Sequence, residues 1–172
     1  MKLNRRLLAL TSLVLSLGVI PSAAQTQGAA TQCGSAEYRQ FDFWIGSWEV
    51  HNPAGVLQGT NTIEPIQGGC VLQEHWTSAS GGTGTSFNIY DFSTKKWHQT
   101  WVSGATLLLL DGQYRDGSMV LEGTTIGQGG AKTHQRITWT PLEDGAVTQV
   151  WDQSTDGQTW NTVFNGRYTR KE

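Results

Sequence analysis

Ten short runs of β-branched and aromatic residues follow Gly46, and no interval between them is long enough to hold a helix. The runs cover residues 47–52, 57–66, 70–78, 85–91, 96–103, 105–113, 118–125, 133–140, 146–152 and 160–169. The intervals are built from turn formers, among them Asn52-Pro53-Ala54-Gly55, Asp91-Phe92-Ser93-Thr94, Asp116-Gly117, Glu143-Asp144-Gly145 and Asp156-Gly157. Such turns make hairpins. A parallel pair would need a crossover of a dozen or more residues, so consecutive strands must run antiparallel. The reading is all-β: an up-and-down meander of about ten strands. Closing it into a barrel removes two exposed edges. Residues 36–45 leave room for one short helical turn before the first strand. Residues 36–172 then form a single barrel domain.

The N-terminus has a different character. Lys2, Arg5 and Arg6 precede an apolar run over residues 7–20, and Ser22 and Ala24 suit a signal-peptidase site. The run is short for a membrane span. Residues 1–24 are therefore expected to be a signal peptide, residues 25–35 a flexible leader, and the protein periplasmic or secreted with no span left after cleavage. Cleavage removes three positive charges and no negative ones from a chain of formal charge −2. An acidic balance without a basic cluster argues against nucleic acid and anionic lipid as partners. The chain has two cysteines, Cys33 and Cys70. In an exported protein a bridge between them is expected. A reactive thiol would want a neighbouring base or a Cys-x-x-Cys, and neither is present.

The stretch FDFWIGSWEV, residues 41–50, places a Gly-x-Trp (Gly46, Trp48) at the start of the first strand. This opening resembles that of lipocalins and their barrel relatives. The resemblance implies that a short helical turn precedes the motif, that Trp48 seals one barrel end, and that an Arg of the last strand packs over it. In NGRYTR that Arg is Arg167 or Arg170. Phe41, Phe43 and Trp44 would plug the same end. GGCVLQEHW, KKWHQTWV, RITWTPLEDGAVTQVWDQSTDGQTW and FNGRYTR extend the similarity to a group of exported bacterial proteins with a lipocalin-like domain. That resemblance implies fold and export, and supplies no reaction.

Three strands carry a polar side chain two residues before a Trp: Glu74 and Trp76, Gln99 and Trp101, Gln149 and Trp151. A spacing of two puts both on one face of a strand. Three such faces would line one cavity, with indoles for contact area and amides or a carboxylate for orientation. The alternative is that these indoles only fill the barrel. Glu74 is the one carboxylate of the set. Beside Trp76 it would serve as an acid or base, or as a structural acid paired with Arg136, which is counted among the ligand-binding candidates.

No two of His51, His75, His98 and His134 have metal-ligand spacing on one strand, so no metal site is expected, and nothing requires haem or another cofactor. His75 and His98 alternate with the Trp faces and should point outward. STDGQTW, residues 154–160, is read as a turn-and-staple device, with Trp160 packed beneath the turn. In LLLLDG, residues 107–112, alternation is lost. Either a leader or loop covers the outer face of that strand, or it forms an apolar patch suited to a homodimer. The leading functional reading is an exported barrel that binds a small, mostly apolar molecule inside. The alternatives are an enzyme of lyase, isomerase or cyclase type using Glu74, and a filled structural barrel acting through its outer surface.

Overall fold

A computed structural model describes residues 33–171. The expected signal peptide and residues 25–32 of the leader lie outside the described residues. The chain forms ten strands: β1 (Gly46–His51), β2 (Leu57–Ile66), β3 (Val71–Ser78), β4 (Thr83–Asp91), β5 (Lys96–Ser103), β6 (Thr106–Arg115), β7 (Ser118–Ile126), β8 (Lys132–Pro141), β9 (Val147–Ser154) and β10 (Asn161–Arg170). Each pairs antiparallel with its neighbours in sequence, and β10 returns to β1 to close the barrel. The expected strands recur within a few residues at each end.

Polar side chains bind the turn backbone as the sequence pattern implies. Between β9 and β10 the Asp156 carboxylate accepts from the backbone N–H of Gln158 at 2.8 Å and of Thr159 at 2.7 Å. Ser154 Oγ accepts from Gly157 N–H at 2.8 Å. Trp160 stacks on the guanidinium of Arg136, 3.9 Å from its ring centre.

Up-and-down order gives the barrel two unlike ends. The β2–β3, β4–β5, β6–β7 and β8–β9 turns lie at one end with the start of β1, and this end is plugged. Two 3-10 segments, Ala36–Arg39 and Asp42–Trp44, lead into β1 there. Phe41 stacks on Trp44 with ring centres 4.9 Å apart and meets Trp97 and Trp139 edge-on at 5.6 and 5.2 Å. Phe41, Trp44 and Trp48 are fully buried. Trp48 donates its indole N–H to the carbonyl of Trp44 at 2.9 Å, which locks the plug to the first strand.

Arg170 lies over the Trp48 ring, 4.5 Å from its centre, and also donates to the Ile45 carbonyl. Strand register explains the choice between the two candidate arginines. Arg170 pairs directly opposite Trp48, whereas Arg167 lies opposite His51. Arg167 faces outward and pairs with Asp144 in the β8–β9 turn, so it has no part in the seal. Gly46 explains the first letter of Gly-x-Trp. Its φ is 144°, and a Cβ there would stand 2.5 Å from the Arg170 guanidinium. A side chain at residue 46 would be strained and would displace the arginine from the indole.

Cys33 and Cys70 form a disulfide across the plugged end. Cys33 is buried, so the last residues of the expected leader belong to the folded unit. Alternation persists through the leucine run: Leu108 and Leu110 are buried, while Leu107 and Leu109 are about half exposed (54% and 49%). With Phe87 and Val102 they make an outer apolar patch, and no described segment covers it. No helix among the described residues is long and apolar enough to cross a membrane.

Candidate functional site

Inside the barrel, above the plug, is a cavity of about 460 Å³. Glu74 and Trp76 of β3, Gln99 and Trp101 of β5, and Gln149 and Trp151 of β9 all line it. The spacing of two thus turned each pair inward on its own strand. Trp139, Ile137, Leu108, Phe164 and Tyr168 complete the walls. Leu57, Gln58, Ser78, Ala79 and Ser80 line its far end, at the start of β2 and the β3–β4 turn. The cavity therefore reaches the end of the barrel opposite the plug.

Local packing sets each indole. Gly84 on β4 makes room for Trp101, because a Cβ there would lie 2.2 Å from the ring. Trp151 donates its N–H to Gln135 Oε1 at 2.7 Å, and Gln135 in turn donates to Thr125. Trp76 meets Phe164 edge-on at 6.1 Å. These contacts fix the rings where they line the cavity.

The polar side chains form one chain through six strands. Tyr168 donates to Gln149 Oε1. Asn61 reaches the Tyr168 hydroxyl at 3.5 Å and donates to Glu74 Oε1 at 2.7 Å. Ser86 donates to Glu74 Oε2 at 2.6 Å. Asn88 donates to Ser86 at 2.9 Å, and Gln99 donates to Asn88 at 2.8 Å. The donors of Asn61 and Ser86 hold the Glu74 carboxyl in one orientation.

Glu74 is 5% exposed. Burial pushes its carboxyl up to about 7, against the opposing pull of the hydrogen bonds from Ser86 and Asn61. Burial, and then the nearby Glu74 charge, drives the Tyr168 phenol well above its ordinary range. Tyr168 is therefore a neutral donor, while Glu74 changes charge near neutrality.

The Glu74 shift is also a stability statement. Its folded pKa lies above the unfolded value of 4.5, so the folded state holds the proton more tightly. This contribution is fully present below about pH 4.5 and is lost as pH rises through about 7. The loss amounts to about 3 kcal/mol in all. Urea unfolding at pH 5 and at pH 8 should show the decline, and Glu74→Gln should flatten it. Parallel pH profiles for the two proteins would contradict the assignment.

Arg136 is the one candidate of the set that the structure places elsewhere. It sits between Gln135 and Ile137 on β8, and those two point inward, so alternation turns it out. It bonds Glu122 at 2.6 Å on the outer surface, and among the described residues Glu74 has no arginine partner. His75 is exposed, and His98 faces Asp111 at 2.9 Å on the outside. Among the described residues no three His, Cys, Asp or Glu side chains come together as a metal site would require.

Sequence reasoning passed over Asn61, Ser86, Asn88, Phe164 and Tyr168. Small polar residues in a strand read as solvent-facing, and these do not precede a Trp. The available signal was register. Once Glu74 is placed inward, Ser86 opposite it on β4 is inward too, and Asn61 lies opposite Trp76 on β2.

No protein-family model matches the sequence, and no curated protein is significantly similar to it.

Proposed function

We propose that this chain is an exported, lipocalin-like barrel that binds a small, mostly apolar molecule in its interior. The observation that carries the reading is the cavity of about 460 Å³, walled by Trp76, Trp101, Trp139 and Trp151 and furnished with a few polar groups. That volume lies within the range of small-molecule sites. A barrel filled by its own side chains would leave no such space, which weighs against a purely structural role. The basic N-terminus, the apolar run behind it and the Cys33–Cys70 bridge support export.

A specific observation favours a second reading. Glu74 titrates near neutrality inside the cavity, and Asn61 links it to a second titratable group, Tyr168. That pairing suits proton transfer of a lyase or isomerase type, with Glu74 as acid or base and Tyr168 as a neutral donor. Binding remains the leading reading because Asn61 and Ser86 already occupy one position on each Glu74 oxygen.

The uncharged fluorophore N-phenyl-1-naphthylamine tests the binding reading. Its emission should rise and saturate at one molecule per chain. Leu108→Trp, which fills the cavity from β6, should abolish the response while the protein stays folded by circular dichroism. A response that never saturates, or one unchanged in Leu108→Trp, would remove the interior site. Native mass spectrometry of protein purified from its own host separates the two readings. A retained molecule, recovered chemically unchanged, supports binding; its conversion during incubation supports the enzyme.

A further inference from the structure

Among the described residues the cavity holds a carboxylate with no cation to meet it. None of those that line it is Lys, Arg or His. The strands beside β3 present Asn61 and Ser86 to Glu74, both uncharged. The nearby titratable group, reached through Asn61, is Tyr168, which is neutral. Arg170, at the closed end, is committed to the Trp48 ring and the Ile45 carbonyl. An ionised carboxylate buried in this way is costly unless a positive charge joins it.

The capacity left on Glu74 itself is that of an acceptor, while the donors left over, Gln149 Nε2 and Trp139 Nε1, belong to β9 and β8. Each Glu74 oxygen accepts one protein hydrogen bond and keeps room for another. Gln99 uses its amide N–H on Asn88, which leaves its carbonyl oxygen for the cavity. Trp76, Trp101 and Trp151 line the same cavity. Indole faces attract cations as well as apolar rings. An ammonium group carries three N–H donors and one positive charge, and so matches both features at once.

We infer that the preferred ligand of this cavity carries a protonated amine on an aromatic or apolar body, with the ammonium on the Glu74 carboxylate and the body between the tryptophans. This inference rests on the interior-binding reading and narrows it to one ligand class. Binding then couples to a proton. Below neutrality Glu74 is protonated, and an amine must displace that proton before it can pair.

Three probes of one shape and different charge make the test: tryptamine, its alcohol counterpart tryptophol, and indole-3-acetate. Each is titrated into the full chain by calorimetry at pH 5.5, 7 and 8.5. At pH 8.5 tryptamine should bind about tenfold or more tighter than tryptophol, the margin of a charge-assisted hydrogen bond. Its advantage should shrink as pH falls through about 7, the value to which burial raises Glu74. Indole-3-acetate should bind weakest at every pH. Glu74→Gln, nearly isosteric, should bring tryptamine down to the affinity of tryptophol. The wild-type pH series stands even if that variant does not fold. Saturable binding with tryptophol or indole-3-acetate equal to or tighter than tryptamine at pH 8.5 would overturn the amine preference and leave interior binding intact. No heat from any of the three would overturn both.

Discussion

Trp48→Ala should lower the unfolding free energy by about 3–5 kcal/mol, as expected for removing a fully buried indole from a packed core. Several contacts go at once. The indole N–H to the Trp44 carbonyl is lost, and so is the edge contact with Tyr168, whose ring centre is 6.3 Å away. Arg170 loses the ring it covers. Arg170→Met, by contrast, removes an exposed cation over a ring and its hydrogen bond to the Ile45 carbonyl, and should cost about 1 kcal/mol. In the double variant the Arg170 effect should shrink to what the Ile45 hydrogen bond contributes, because the ring has gone. Urea unfolding followed by tryptophan fluorescence gives all four values. A loss below about 1 kcal/mol for Trp48→Ala would mean that this indole does not seal the barrel.

The second large effect is at the disulfide. Cys33 and Cys70 are 37 residues apart, so the bridge closes a long loop in the unfolded chain. Loop-closure entropy assigns about 3–4 kcal/mol to such a ring. Replacing both cysteines with serine should lower the midpoint of urea unfolding accordingly. The effect should be local before it is global. Cys33 anchors the lead-in that carries Phe41 and Trp44 into the plug. Hydrogen exchange should therefore accelerate first over residues 36–45, while the central strands keep their protection. Uniform acceleration across the barrel would show that the bridge acts only through the unfolded chain. An unchanged midpoint would show that it contributes no stability.

The cavity and the bridge illustrate different sources of information. Strand number and antiparallel order follow from patterns a few residues long, and the plug from the resemblance carried by residues 41–50. The Glu74, Gln99 and Gln149 faces were legible for the same reason: side-chain direction alternates with period two along a strand, and a Trp marks which face is rich in contact area. Arg136 failed that rule because it stands out of phase with Gln135 and Ile137, and chemistry alone had suggested it as a partner for Glu74. Arg167 and Arg170 were equally plausible over Trp48 in the sequence, since both lie in the last strand.

The sequence by itself determined the all-β class and the antiparallel sequential topology, because connections of a few residues leave neighbouring strands no other way to pair; the aromatic plug was implied by the resemblance of FDFWIGSWEV to the lipocalin opening. The sequence also marked six of the cavity-lining residues through strand alternation. Only the tertiary structure decided that Arg170 rather than Arg167 covers Trp48, that Arg136 lies outside, and that Asn61, Ser86 and Tyr168 surround Glu74. Those facts depend on inter-strand register and barrel closure, which bring β10 beside β1 and join residues more than a hundred positions apart. The Glu74–Trp76 spacing implied a buried carboxyl with a raised pKa, and the closed barrel supplies that burial. That the pKa reaches about 7 depends on full burial among Asn61 and Ser86, which only the assembled barrel provides.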